Sequence, residues 1–176
     1  MVEKFLFLGI LHSSGSLKSK TRIEFQTKRK ELAEIIYSIA KEFTKPKIKE
    51  KKFYIVSVVD KDLNKKLGVE INKTRLPLDI LDNRERKINF LKGYFEGKSS
   101  ISPRKNLIKV SGEKRILEQL RVLLEEVNIN ARRYKTGRYY SLYIEGKNKC
   151  RIFRDKINFI SKEKKEILER IVSYYR

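Results

Sequence analysis

The sequence predicts a mixed fold of helices and strands in which one pattern occurs twice: helix, two strands, helix, two strands, helix. Two observations predict this repeat. Apolar segments around Gly9 and Gly93 each carry a pair of small residues four positions apart, completed by Ser13 and Gly97. Each segment then runs through serines into a basic, alternating stretch and a long amphipathic helix. We therefore expect the second half of the chain to retrace the first.

The small residues predict that two helices pack closely. Phe90, Leu91, Tyr94 and Phe95 recur at helical spacing and give the segment that begins at Phe90 one apolar face. A glycine inside a helix costs about 0.5–1 kcal/mol relative to alanine, and this cost is usually tolerated where another backbone comes close. The alternative is two unrelated apolar helices with incidental glycines. The matching surroundings favour a packed pair, with these residues at the contact: Gly9, Ser13, Gly93 and Gly97.

The first repeat is expected over residues 1–84. Lys18, Lys20 and Arg22 alternate, which predicts a cationic face on a strand or a tight hairpin. The remaining predicted elements are helices at residues 3–13, 28–43 and 60–71, a buried strand at residues 53–59, and a linker at residues 74–82.

A second cationic strand is predicted after Pro46, which ends the preceding helix. Lysines occupy every second position here, so a strand would carry a row of ammonium groups about 6–7 Å apart. Such a row can protect a sheet edge against aggregation. It also suits the spacing of backbone phosphates along a nucleic-acid strand, and we favour this interpretation. The four residues are Lys45, Lys47, Lys49 and Lys51.

The second repeat is expected over residues 85–176. Its predicted elements after the glycine-containing helix are a hairpin with a turn at residues 103–106, a strand at 107–111, helices at 113–127, 149–157 and 162–174, and two strands around Thr136-Gly137. Its hairpins and strands carry Arg104, Lys105, Lys109, Arg132, Arg133, Lys135 and Arg138.

Charge is the strongest compositional signal. The chain has 43 Lys and Arg residues against 22 Asp and Glu residues, a net charge of +21. Such a field attracts polyanions, and nucleic acid is the usual partner. A membrane surface is the competing partner, but it usually binds one basic amphipathic helix, whereas much of the charge here lies in strand-like segments. We therefore expect nucleic acid as partner and no membrane.

The sequence also bounds the location and the covalent chemistry. No apolar run approaches the roughly 18 residues of a membrane span, and the first apolar run lacks the features of a signal peptide. We expect an intracellular, cytoplasmic protein. Cys150 is the only cysteine, which excludes an internal disulfide and a cysteine-based zinc site.

The segment FLKGYFEGKS, residues 90–99, resembles the motif of the LAGLIDADG homing endonuclease and maturase family. Residues 7–15, FLGILHSSG, resemble it more weakly, and RRYKTGRYYSLYI is similar to strands that follow the motif. The resemblance implies an α+β fold of two αββαββα repeats related by a pseudo-twofold axis, with the motif helices at the centre. It further implies a monomer whose two saddle-shaped sheets lie in the major groove of DNA.

The resemblance also implies a place for chemistry, and there the sequence departs from the family. Active relatives carry an acid at the eighth motif position of each repeat, where the two carboxylates bind a divalent metal that activates water. Ser14 and Lys98 occupy these positions here. A hydroxyl and an ammonium group do not make a magnesium site, so we expect no bound metal, no cofactor and no catalytic residue.

Two other motif residues are weaker candidates. Glu96 lies two residues before the acid position, about 200° around the helix, and would need a shifted register to serve as an acid. His12, the only histidine, takes the sixth motif position, where we expect a polar residue that is hydrogen-bonded at a helix end.

The leading hypothesis is therefore a nuclease-inactive, LAGLIDADG-like protein that binds nucleic acid, DNA rather than RNA, through basic strand faces. The alternatives are an active site-specific endonuclease that uses Glu96 or other acids, and an RNA-binding maturase or regulator. Aromatic residues in strands are usually part of a core, but those of the second repeat could also stack on bases. They are Tyr134, Tyr139, Tyr140 and Tyr143.

Overall fold

The computed structural model describes residues 2–173, so the predicted helix end at Tyr174 lies outside the described residues. The helices are α1 Val2–Ser14, α2 Lys30–Lys41, α3 Leu63–Leu67, α4 Arg84–Lys98, α5 Lys114–Glu126, α6 Lys147–Lys156 and α7 Lys162–Ser173. The strands are β1 Gly15–Ser19, β2 Arg22–Thr27, β3 Lys47–Glu50, β4 Tyr54–Val59, β5 Ser100–Ser102, β6 Leu107–Gly112, β7 Arg132–Thr136 and β8 Tyr139–Glu145. Short 3₁₀ turns occur at Leu78–Ile80 and Pro103–Lys105.

The strands form two four-stranded antiparallel sheets with the same internal order. The first sheet runs β1-β2-β4-β3, and the second runs β5-β6-β8-β7. Each half thus reads helix, two strands, helix, two strands, helix, and the predicted fold class is confirmed. The division between residues 84 and 85 stays a prediction; α4 begins at Arg84.

Helices α1 and α4 join the two halves through a contact between their backbones. A Cβ built on Gly9 would overlap the carbonyl oxygen of Phe90 and would lie 2.6 Å from the backbone nitrogen of Tyr94. A Cβ on Gly93 would likewise overlap the carbonyl oxygen of Leu6. Glycine at both crossing points is therefore required by close approach.

Each sheet buries one face against helices. Ile23, Phe25, Val56 and Val58 lie inward on the first sheet and belong to one continuous hydrophobic core with α2. The second sheet contributes Ile108, Val110, Leu142 and Ile144, which pack with α5. Because side chains alternate along a strand, the neighbouring positions form the outward face of each sheet.

The cationic strand predicted after Pro46 is shorter than expected. The strand after Pro46 contains only Lys47–Glu50, so Lys45 and Lys51 lie outside it. The Lys51 backbone N–H donates to the Phe53 carbonyl, which closes the turn into β4 and ends the strand. None of the described helices is long and apolar enough to cross a membrane.

Candidate nucleic-acid interface

The outward face of the first sheet carries two lysines from its edge strand. Val56 and Val58 of β4 are buried, so the alternate residues of β4 point outward. Lys47 pairs with Ser57 and Lys49 pairs with Ile55 in the antiparallel register. Directly opposed residues share a face of the sheet, and both lysines therefore lie outward, where they are exposed.

The other cations predicted for the first repeat are more scattered. Lys18 is exposed on β1 beside a register irregularity, and Lys20 lies in the turn between β1 and β2. Arg22 begins β2, where its guanidinium is 2.5 Å from the Glu24 carboxylate. Glu24 partly neutralises this position. Lys51 is exposed just after β3.

The second sheet divides its predicted cations between its two faces. Lys109 and Arg132 both pair with Tyr143 of β8, on the outward side. Arg133 instead pairs with buried Leu142, and Lys135 pairs with Tyr140 on the same side as Leu142. Arg133 and Lys135 thus lie on the opposite face of the strand from Arg132, because successive residues alternate across the sheet.

Arg133 has a specific partner on the helix side of the sheet. Its Nη1 donates to Glu118 Oε2 of α5 at 2.7 Å, and its guanidinium lies 5.7 Å from the Tyr140 ring centroid. Arg133 therefore connects β7 to α5 by an ion pair. The remaining predicted cations, Arg104, Lys105 and Arg138, are exposed in turns at the ends of the second sheet.

A cavity of about 300 Å³ lies where α1 and α4 end, and we call it the helix-end cavity. It contains both degenerate motif positions. Its lining residues are His12, Ser13, Ser14, Gly15, Lys73, Leu76, Tyr94, Lys98, Gly112, Glu113 and Ile116.

Lys73 supplies a half-buried positive charge to this cavity. Its Nζ donates to the carbonyl oxygens of Leu11 at 2.6 Å and His12 at 2.8 Å, near the end of α1. A cation is favourable at a helix C-terminus because the last carbonyls carry partial negative charge. Burial, together with the charge of Lys98, lowers the pKa of Lys73 to about 8.

The donor set of the helix-end cavity does not fit a divalent metal. The Ser14 hydroxyl already donates to the carbonyl oxygen of Ile10 at 3.0 Å. Lys73 and Lys98 are cations, and Glu113 is the one carboxylate among the described lining residues. Because a hard cation requires several oxygen ligands, two ammonium groups beside a single carboxylate would repel it.

Glu96 is part of the core architecture and does not reach this cavity. Its side chain is fully buried, and Oε2 accepts from the backbone N–H groups of Ile160 at 2.8 Å and Ser161 at 3.1 Å. Oε1 accepts from the Ser161 hydroxyl at 2.8 Å. The carboxylate therefore holds the start of α7, which leaves it without a role as the acid of an active site.

His12 differs from its expected state. It is buried at the end of α1, with its ring centroid 5.8 Å from that of Phe90. Its Nε2 has no hydrogen-bond partner among the described residues, contrary to the predicted hydrogen bond. Burial, with the nearby charge of Lys73, lowers the pKa of His12 to about 4, so the ring is neutral at pH 7.

Sequence reasoning missed Lys73 and Lys164. Lys164 is buried, and its Nζ donates to the carbonyl oxygens of Phe95 and Glu96 at the end of α4. Each motif helix thus has a lysine that donates to its C-terminal carbonyls, half-buried Lys73 at α1 and buried Lys164 at α4. A chain with this many lysines gives no sequence signal that separates these two from the solvated ones.

Comparison with known proteins finds a family model that matches most of the second half of the chain. Residues 85–158 match the model of the LAGLIDADG-like domain. Over 92 residues the chain is 32% identical to the DNA-directed RNA polymerase subunit Rpo1C of Methanocaldococcus jannaschii. That match covers 52% of this chain and 11% of the relative, so the chain spans only about a tenth of that protein's length.

Solved structures resemble the whole chain. A crystal structure of I-DmoI in complex with DNA and Mn has a TM-score of 0.66 at 19% identity, and the match covers 89% of this chain and 96% of that one. Full-length DUF199/WhiA from Thermatoga maritima has a TM-score of 0.69 at 19% identity, with 98% of this chain and 61% of that chain covered. Sequence identity of 19% supports a shared fold only. Both halves thus share the fold of these structures, and residues 85–158 match the LAGLIDADG-like domain directly.

Proposed function

We propose that this protein binds nucleic acid, double-stranded DNA above all, through the outward faces of its two sheets, and that it does not cleave its ligand. The observation that carries the proposal is the placement of Lys47 and Lys49, side by side on an outward sheet face in a chain with a net charge of +21. Each phosphate neutralised by such a cation releases condensed counterions and favours binding.

Two further observations support DNA and the absence of cleavage. A structural neighbour, the homing endonuclease I-DmoI, is described in complex with DNA. In this chain the helix-end cavity presents Lys73 and Lys98 where a metal-dependent nuclease needs carboxylates. Its cations can contact a phosphate, but they supply no metal to activate water.

The test compares charge reversals on opposite sides of the first sheet. Lys47→Glu with Lys49→Glu changes the outward face, whereas Lys30→Glu with Lys41→Glu changes α2, which packs on the inward face. Both double variants lower the net charge equally.

Duplex affinity is measured over a range of salt concentrations. We expect the Lys47 and Lys49 variant to bind more weakly and to flatten the slope of log K against log salt by about 2, since each phosphate contact contributes roughly 0.9. The α2 variant should keep a slope near that of the parent protein. Equal losses in the two variants would reduce the interaction to nonspecific attraction by net charge and would refute the strand-face interface.

A further inference from the structure

The two outward sheet faces differ in chemistry at corresponding positions. The central strand β4 of the first sheet presents Ile55, Ser57 and Val59 outward. The corresponding strand β8 of the second sheet presents Tyr139, Ser141 and Tyr143. The neighbouring strand β7 adds Tyr134 on the same face. The outward face of the first sheet thus carries aliphatic and small polar side chains between its cations. The outward face of the second sheet carries aromatic side chains.

The three tyrosines lie on one face of the second sheet, and we call them the tyrosine platform. Tyr134 pairs with Ser141, which places it diagonally between Tyr139 and Tyr143. The ring centroids of Tyr134 and Tyr143 are 4.7 Å apart. Ser141 is only 2% exposed and shares a 2.8 Å hydrogen bond with Ser111, so it adds no open polar surface between the rings.

Sheet stability explains only part of this patch. Cross-strand aromatic pairs stabilise antiparallel sheets, and that accounts for Tyr134 beside Tyr143. It does not account for Tyr139, which is 74% exposed. A large aromatic side chain that buries so little area contributes little to folding, and a contiguous exposed apolar patch is typical of an interaction site.

Cations flank the platform at both ends. The Lys109 ammonium lies 5.7 Å from the ring centroid of Tyr143, and Arg132 pairs with Tyr143 from the other side. Arg138 lies in the turn next to Tyr139. From Tyr143 to Tyr139 the strand rises about 13 Å, so the cations bracket a short aromatic strip.

We propose that the tyrosine platform binds unpaired nucleobases by stacking, while the flanking cations hold the adjoining phosphates. Bases inside an intact duplex have no free faces, whereas unpaired bases stack on exposed aromatic rings. The inference rests on the proposed function, because it assumes a nucleic-acid ligand. It adds that the second sheet selects looped or single-stranded segments, through a surface that the first sheet lacks.

The test measures fluorescence anisotropy with four probes: a paired duplex, the same duplex with a small internal loop, an oligothymidine and an oligouridine. The variants are Tyr139→Ala and Tyr134→Ala, with Tyr139→Phe and Tyr134→Phe as controls that keep the ring. We expect each alanine variant to weaken binding to the looped and single-stranded probes roughly tenfold, as for loss of one stacked base. Binding to the paired duplex should change little, and the phenylalanine variants should resemble the parent protein.

Intrinsic fluorescence gives an independent readout. The chain contains nine tyrosines and no tryptophan, so quenching by a stacked, unlabelled base is observed directly. Quenching by the looped duplex should decrease in Tyr139→Phe although affinity is retained. Tighter binding of oligothymidine identifies a DNA ligand and tighter binding of oligouridine identifies RNA; both agree with the platform.

Two outcomes separate the failure of this inference from the failure of the proposed function. If the paired duplex binds with a steep salt dependence but Tyr139→Ala binds the looped probe as the parent does, the platform is refuted and the strand-face interface stands. If the parent protein binds none of the four probes, the proposed function fails and the platform fails with it.

Discussion

The Glu96 carboxylate on α4 accepts a 2.8 Å hydrogen bond from the Ser161 hydroxyl at the start of α7. It also accepts from the Ser161 backbone N–H. An acidic residue inside a motif helix is thus committed to connecting that helix with the last helix described. This relationship supports a structural role for Glu96, and it leads to a stability prediction.

Glu96→Gln should destabilise the fold. The amide can accept fewer of the hydrogen bonds from Ile160 and Ser161 and loses their charge assistance, which should cost about 1–3 kcal/mol. For a chain of this size, each kcal/mol lowers the melting temperature by roughly 2–4 °C. Glu166→Gln on α7 is the control, because Glu166 makes only an exposed contact of 3.9 Å with Lys162. Equal melting temperatures for the two variants would contradict the structural role of Glu96.

Gly93→Ala should destabilise the joint between the two halves. The added methyl group overlaps the Leu6 carbonyl oxygen, which is backbone and has little room to move. Overpacking of this kind costs about 1–3 kcal/mol or more. Gly112→Ala is the matched control, since its Cβ would meet only ordinary contacts at 3.7 Å and beyond. Denaturant unfolding of both variants provides the measurement, and an unchanged midpoint for Gly93→Ala would mean that the helices separate freely.

His12 should make stability depend on pH in the acid range. Its folded pKa of about 4 lies below the ordinary 6.5, so the unfolded chain takes up the proton first. The stabilising contribution is complete above pH 6.5 and is lost as the pH falls towards 4, by about 3 kcal/mol in total. His12→Phe should reduce the slope of unfolding free energy against pH in this window. Parallel profiles for the two proteins would show that the ring protonates equally in both states.

Nuclease activity should be absent with either Mg²⁺ or Mn²⁺. The helix-end cavity offers one carboxylate, Glu113, beside Lys73 and Lys98, so a metal that activates water is not held there. The assay is nicking of supercoiled plasmid by purified protein. Nicking that disappears in Glu113→Gln would overturn the proposal and would assign a metal to this carboxylate.

The sequence allowed the fold to be predicted because its signals are local and repeated. Small residues four positions apart predicted that α1 packs against α4. Apolar residues recurring every two or 3.6 positions predicted most of the strands and helices. The two faces of β7 were harder to predict. Arg132 and Arg133 are equivalent in composition, and only the register with Tyr143 and Leu142 assigns one to the outward face and the other to Glu118.

The buried polar contacts could not be predicted for a different reason. Lys73 meets the end of α1, and Glu96 meets Ser161, across separations of more than 60 residues. Nothing in the local sequence distinguishes these side chains from solvated lysines and glutamates. Their roles come from tertiary packing, which brings helix ends with unpaired backbone groups next to them.

The glycine contact between α1 and α4 also constrains any ligand that touches both sheets. At Gly9 and Gly93 the backbones of α1 and α4 touch directly, with no side chain between them. Because close-packed backbone does not deform easily, the two halves have little freedom to move relative to each other at this contact. A nucleic acid bound across both faces would therefore meet a surface that does not adjust to it, and any misfit would have to be absorbed by the ligand. The energy of bending or opening depends on base sequence, so a rigid protein joint would favour deformable sites even where no side chain contacts a base.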